Sequence, residues 1–171
     1  MTGYIQIYTG DGKGKTTAAL GLALRAAGAG IRVFIACFMK GRRYSEDAAL
    51  VRLRPEITVK KFGRACFVRG KPSRADFAAA ARGLKAAERA ITSGRYGLVI
   101  LDEAAVAAAL GLFPASELLR LADLKPPRVE LVITGRGASP ALKRRADLVT
   151  EMREVKHSYR RGVKARRGIE R

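Results

Sequence analysis

Apolar positions along the chain fall into short runs broken by glycine or polar stretches, and strand-like and helix-like periods alternate. Residues 4–8 are β-branched and aromatic and read as a first strand. The apolar helical pattern that follows predicts a helix over 17–27, closed by Gly28 and Gly30. Residues 31–39 are almost continuously apolar, which suits a central parallel strand covered on both faces. Ser45, Glu46 and Asp47 mark a helix start with acids in its first turn. Ile57–Phe62 is a third strand, and 63–72 is a loop carrying Cys66, Phe67 and Arg69. Ser73 and Asp76 form a capping box that opens an Ala-rich helix to about residue 93. A fully apolar strand over 98–101 ends in Asp102-Glu103; a helical stretch follows, and another starts at Pro114. Residues 129–134 form a fifth strand that runs into Gly135-Arg136-Gly137, before a short helix over 139–146 and a last strand over 148–152. This alternation predicts an α/β fold, a doubly wound, mostly parallel sheet flanked by helices, as a single domain over 1–171. Its tail, 154–171, is basic and irregular.

Composition narrows the class. The chain has 171 residues, 48% hydrophobic with no Trp, so its core must come mainly from Ala, Leu, Val and Ile. No apolar run reaches the roughly 18 residues of a membrane span. The chain goes directly into a strand, so it reads as a cytosolic protein without a signal peptide. Cys37 and Cys66 lie far apart and lack metal-ligand spacing; Cys37 falls in an apolar strand pattern and is expected to be a buried thiol. Lys and Arg number 34 against 15 Asp and Glu, a net charge of +19, which favours acidic partners of some kind.

Between the first strand and the first helix lies Thr9-Gly10-Asp11-Gly12-Lys13-Gly14-Lys15-Thr16-Thr17. Strand, glycine loop and helix in that order are the setting of a phosphate-binding P-loop. Glycines let backbone N–H groups turn inward on an anion, and the helix adds its N-terminal dipole. Lys15 supplies an ammonium for the phosphates and the Thr16 hydroxyl a ligand for Mg²⁺. Thr9 stands where the motif has its first glycine. The bland alternative is a glycine turn that binds nothing; Gly-Lys-Thr at the helix start argues against it. Ligands of doubly wound sheets sit beyond the carboxyl ends of the strands, and Lys15, Lys40, Asp102, Glu103 and Arg136 all fall at such ends. The apolar strand before Asp102-Glu103 reads as a Walker B partner whose carboxylate holds Mg²⁺, with both acids open as the ligand. Arg136 between its glycines is either a phosphate clamp or a solvated surface arginine. His157 is the only histidine and takes no acid–base role; no Ser/His/Asp or Cys/His set is evident.

Over residues 3–170 the chain resembles the corrinoid adenosyltransferases of the ATP:cob(I)alamin type. The resemblance rests on Gly10 to Thr17, on Phe38-Met39-Lys40-Gly41 and on Val99-Ile100-Leu101-Asp102-Glu103. It rests also on Val132-Ile133-Thr134-Gly135-Arg136-Gly137 and on the tail from Val155-Lys156-His157 to Gly168-Ile169-Glu170. It implies a RecA-like P-loop NTPase fold, a homodimer, and transfer of the 5′-deoxyadenosyl group of ATP to Co(I) of a corrinoid with release of triphosphate, in adenosylcobalamin biosynthesis or salvage. It implies that Gly10, Asp11, Gly12, Lys13, Gly14, Lys15, Thr16 and Thr17 hold the triphosphate, with Arg25, Lys40 and Arg136 as further contacts. Mg²⁺ would sit on Thr16 and Glu103, with Asp102 the second carboxylate. Co(I) is a nucleophile with no proton to lose, so a site without a general base is expected. In this family an aromatic loop displaces the lower ligand of cobalt and eases its reduction. Phe67 matches the first aromatic, and Arg69 stands where better-known members carry a Trp, which leaves Phe62 as a further candidate. Asp11 replaces the usual Asn, and a carboxylate there needs Mg²⁺ or Lys13 to face.

The excess of basic charge points to docking of an acidic electron-transfer protein such as a flavodoxin. Two other readings compete: a P-loop kinase or phosphohydrolase acting at the γ-phosphate, and a RecA-like nucleic-acid-binding ATPase. Aromatic residues are not interleaved along any basic stripe, which argues against nucleic acid, and no membrane partner is expected.

Overall fold

The computed structural model describes residues 2–64 and 71–170. Its strands are β1 (Ile5–Thr9), β2 (Val33–Phe38), β3 (Ile57–Phe62), β4 (Leu98–Asp102), β5 (Glu130–Thr134) and β6 (Leu148–Glu151). Its helices are α1 (Lys15–Gly28), α2 (Ser45–Val51), α3 (Arg74–Thr92), α4 (Ala104–Ala109), α5 (Ser116–Asp123) and α6 (Pro140–Arg145), with a 3₁₀ turn at Ser158–Arg161. The strands form one sheet in the order β3-β2-β4-β5-β1-β6, and every pairing is parallel. The α/β, doubly wound expectation holds.

Alternation along the strands sends side chains to two separate cores. On β2, Val33, Ile35 and Cys37 join Ala19, Ala23 and Ala26 of α1 and Leu50 of α2. Phe34, Ala36 and Phe38 face the other way, toward Ala80, Leu84 and Ala87 of α3 and toward the helices after β4. Both β2 and β4 are buried along their whole length, which explains why they read as unbroken apolar runs. The small residues have a packing purpose. α3 approaches the sheet through Gly83, where a Cβ would lie 2.6 Å from the Phe38 ring. The Ser73–Asp76 capping box forms as expected, with Asp76 Oδ2 accepting from Ser73 N–H at 2.8 Å.

Two boundaries differ from the sequence reading in a way that matters. α1 begins at Lys15 rather than residue 17, because the Gly14 carbonyl accepts the first helical bond from Ala18 N–H at 2.7 Å. Lys15 and Thr16 therefore sit in the first helical turn. β2 stops at Phe38 because Met39 turns left-handed, with φ 58°, and throws the chain out of the sheet before Lys40.

Phe38 is fully buried and contacts the rings of Phe62 and Phe113, with centroids 6.2 Å and 5.6 Å away. Phe38→Ala is expected to cost about 3–5 kcal/mol in a denaturant titration; a loss under about 1 kcal/mol would contradict this packing.

Candidate active site

All six strands point the same way, so their carboxyl ends share one rim, and the glycine loop rises from it after β1. The loop is tight against the chain that leaves β6. Gly12 N–H donates to Met152 O at 2.7 Å, and a Cβ on Gly10 or Gly12 would come within 2.4 or 2.7 Å of that same oxygen. Gly10 and Gly14 have φ of 90° and 121°, open to glycine and strained for other residues. Lys15 is 7% exposed and its Nζ donates to Gly10 O at 2.7 Å and Gly12 O at 2.6 Å. Burial, and then the nearby Arg136, lower its pKa.

Register brings the rest together. β5 lies between β1 and β4, so the loop strand and the acid strand are two strand spacings apart, about 10 Å. Thr134, at the end of β5, holds the end of the acid strand. Its hydroxyl donates to Asp102 Oδ1 at 2.8 Å and accepts from Glu103 N–H at 2.9 Å. Thr16 Oγ1 donates to Asp102 Oδ1 at 2.9 Å, and Lys40 Nζ donates to Asp102 Oδ2 at 2.6 Å and to Thr16 Oγ1 at 3.2 Å. Burial works against the Lys40 ammonium, but the charge and hydrogen bond of Asp102 outweigh it, so its pKa is raised. Tyr44 lies against Lys40 and Lys61, its ring centroid 5.9 Å and 5.1 Å from their ammonium groups. Lys61 in turn pairs with Asp47 of α2.

Asp102 is thus spent on protein donors, whereas no hydrogen bond or ion pair engages the Glu103 carboxylate among the described residues. Glu103 is held left-handed, with φ 60°, and its side chain lines the cleft. Burial, and then the neighbouring Asp102, raise its pKa, against the pull of Lys40, Lys15 and Arg136. The donor set suits a hard cation. Among the described residues no group of three or more His, Cys, Asp or Glu could hold a metal alone. A hydroxyl and a lone carboxylate beside a cationic loop match an ion held partly by substrate phosphates, as Mg²⁺ is.

The cleft has a volume of about 560 Å³ and is lined by Gly12 through Thr17, Lys40, Glu103 and Arg136. That lies within the range of small-molecule sites. Arg136 follows Gly135, whose Cβ would meet Val106 N at 2.7 Å, so α4 forces the Gly-Arg-Gly turn. Asp11 is exposed on the rim and sits 4.0 Å from Arg136 Nε; that arginine is its partner, rather than Lys13. Arg25 is not at the cleft: it lies in the last turn of α1, ten residues or about 15 Å of helix beyond Lys15. Phe62 packs against Phe38 at the edge of the core. Phe67, Cys66 and Arg69 lie outside the described residues. Cys37 is buried, its pKa pushed up to about 12 by burial and then by Asp102, as befits a core thiol.

Sequence reasoning gave no site role to Thr134 or to several residues that line the cleft, among them Tyr44, Glu46, His157, Ile169 and Glu170. Thr134 is fully buried, and its signals were a hydroxyl ending an apolar strand and its place in the Val132–Gly137 stretch. His157 and Glu170 come from the tail and line the cleft. His157 Nδ1 accepts from Tyr159 N–H at 3.1 Å and caps the 3₁₀ turn.

The family model described as ATP:corrinoid adenosyltransferase BtuR/CobO/CobP matches residues 1–171. The chain is 34% identical over 169 residues to the corrinoid adenosyltransferase of Pseudomonas aeruginosa, covering 98% of this chain and 83% of the relative. It is 35% identical over 169 residues to the corrinoid adenosyltransferase of Escherichia coli K12, covering 98% and 85%. The corrinoid adenosyltransferase CobA of Salmonella typhimurium is 34% identical over 169 residues, again covering 98% and 85%.

A carboxyl whose pKa is raised in the folded chain costs stability once ionised. For Glu103 that cost is absent below its ordinary value of 4.5 and sets in as pH rises through the higher folded value. In nucleotide-free, Mg²⁺-free buffer at pH 7, Glu103→Gln is therefore expected to be more stable than the parent by about 1 kcal/mol. The gap should close below pH 4.5. Equal stability at pH 7 would contradict the account.

Proposed function

The chain belongs to the ATP:corrinoid adenosyltransferase family, and from that premise we propose that its cleft moves the 5′-deoxyadenosyl group of ATP to Co(I) of a corrinoid in adenosylcobalamin synthesis. The observation that carries this reading is the meeting of Lys13, Lys15, Lys40 and Arg136 with the helix start of α1 around one cleft, an arrangement suited to gripping a polyanion rather than to general-base chemistry. The reaction needs no general base. Co(I) gives an electron pair to C5′, the C5′–O bond breaks, and its pair leaves on triphosphate. What the protein must supply is alignment and stabilisation of a polyanionic leaving group.

The residues divide those tasks. Gly12 to Thr17 turn backbone N–H groups toward the phosphates, and Lys13, Lys15 and Arg136 offset the charge that grows on the leaving oxygen. Asp102 orients Thr16 and Lys40. Thr16 and Glu103 would hold Mg²⁺, which when bound neutralises charge on the phosphate oxygens. Glu103 fits this role better than Asp102, because three protein donors already occupy Asp102. Arg25, outside this cleft, has no part in the grip on the triphosphate. The working enzyme is a cytoplasmic homodimer, and its basic surface receives an acidic electron carrier of the flavodoxin class that reduces Co(II).

Anaerobic incubation with ATP, Mg²⁺ and cob(I)alamin is expected to give the spectrum of a light-sensitive alkylcobalamin and one triphosphate per product. ADP or orthophosphate in its place would overturn the reading in favour of chemistry at the γ-phosphate. Glu103→Gln should lower kcat by about 10–100-fold, while Arg25→Ala leaves the KM for ATP within about twofold. Raising salt from 0.05 to 0.5 M, trial concentrations that span about 14 to 4 Å of screening length, should slow turnover fed by the protein reductant. Turnover on chemically reduced Co(I) should hold, and equal slowing of both would remove the docking role of the basic surface.

A further inference from the structure

Two carboxylates that line the cleft, Glu46 and Glu170, have no task in this chemistry, and Glu170 is the one bonded to the glycine loop. Glu170 stands at the end of the described tail, yet its Oε1 accepts from Lys13 Nζ, inside the glycine loop, at 3.0 Å. Arg166 grips the same carboxylate through Nη2 at 2.9 Å, Nε at 3.2 Å and its backbone N–H at 2.9 Å. These bonds, those of Arg166 first and then that of Lys13, hold the Glu170 pKa far below the ordinary carboxylate range, so the group stays ionised at any working pH. The chain that leaves β6 toward the tail is itself fastened to the loop, through Gly12 N–H on Met152 O. Gly168, Ile169 and Glu170 then share the cleft wall with Lys13 and Lys15. An anion has been carried to the lysine that the leaving group also needs.

We propose that Glu170 is a positioning residue for release of triphosphate: it holds Lys13 in the nucleotide-free protein, yields it to the polyphosphate, and reclaims it as the product departs. This rests on the adenosyl-transfer reading above. A cleft built from several cations binds the expelled triphosphate as well as it binds ATP, and such uniform binding slows turnover without aiding the chemical step. Glu170 offsets it. Its charge competes for one of the gripping ammonium groups, and Arg166 keeps it in place while Lys13 is on the phosphates. No covalent bond changes; one ion pair is exchanged for another.

The test is equilibrium binding of inorganic triphosphate with Mg²⁺, followed by calorimetry without corrinoid, on Glu170→Gln and the parent. Glu170→Gln is expected to bind triphosphate about two- to fivefold more tightly, the range of an exposed ion pair, and to release it more slowly by a similar factor. The thermal midpoint should not move, and the gain should shrink at high salt. In a Lys13→Gln background the Glu170→Gln change should have no effect, and the charge-preserving Glu170→Asp should bind as the parent does. Unchanged or weaker binding in Glu170→Gln would overturn the proposal, as would an equal gain without Lys13 or in Glu170→Asp. Cobalt takes no part in this measurement. A protein that shows the triphosphate response but never alkylates cobalt would refute the adenosyl-transfer reading alone, and alkylation without the response would refute this one alone.

Discussion

The Asp102 carboxylate is 2% exposed and accepts hydrogen bonds from Thr16 at the start of α1, Lys40 after β2 and Thr134 at the end of β5. A charge at that depth is tolerated only while it is fully paired, and removing one partner leaves the others with an uncompensated ion. The pairing therefore fixes where the glycine loop meets the helix, where β2 releases its chain and how β5 ends. It also divides labour between adjacent acids. Asp102 is consumed by the protein, and Glu103 is left to face the cleft.

Backbone conformations that cost energy cluster at this place. Met39 and Glu103 are the non-glycine residues with positive φ among the described ones, and each sits beside the Lys40–Asp102 pair. The left-handed turn at Glu103 redirects its side chain from the sheet to the cleft, held by its N–H on the Thr134 hydroxyl. Strain of this kind persists only where surrounding contacts over-determine it, and the buried network provides them. The glycines of the loop serve two masters. They let the loop backbone take positive φ at Gly10 and Gly14, and they let residues 152 and 153 press against the loop.

Charge on this molecule is distributed with more structure than a net +19 implies. Three cations at the cleft have an anion at hand: Lys40 has Asp102, Lys13 has Glu170, and Arg136 has Asp11 at 4.0 Å, whereas Lys15 is held by the carbonyls of Gly10 and Gly12. Burial divides these pairs. The first is enclosed and structural, while the other two are exposed, screened by salt and worth little to stability, so a polyanion can displace them.

Local pattern was enough for the elements and for most of the cleft. Unbroken apolar runs announced β2 and β4, the capping box announced α3, and glycine spacing before Lys15 and Thr16 announced the loop, because each depends on neighbours in sequence. Lys40, Glu103 and Arg136 were legible for a related reason: parallel strands deliver their carboxyl ends to one rim whatever their order. Contacts made across the sheet or from the tail were not legible. Thr134 meets Asp102 because β5 is inserted between β1 and β4, Glu170 meets Lys13 because the tail folds back over the loop, and helical rise puts Arg25 in the last turn of α1, away from the residues that line the cleft. That Asp102 is paired within the protein while Glu103 faces the cleft turned on a single left-handed residue and a buried lysine. Sequence determined which groups were available at the rim; only the tertiary structure decided which were already paired, since burial and partners, rather than residue type, set whether a charge is free to meet a ligand.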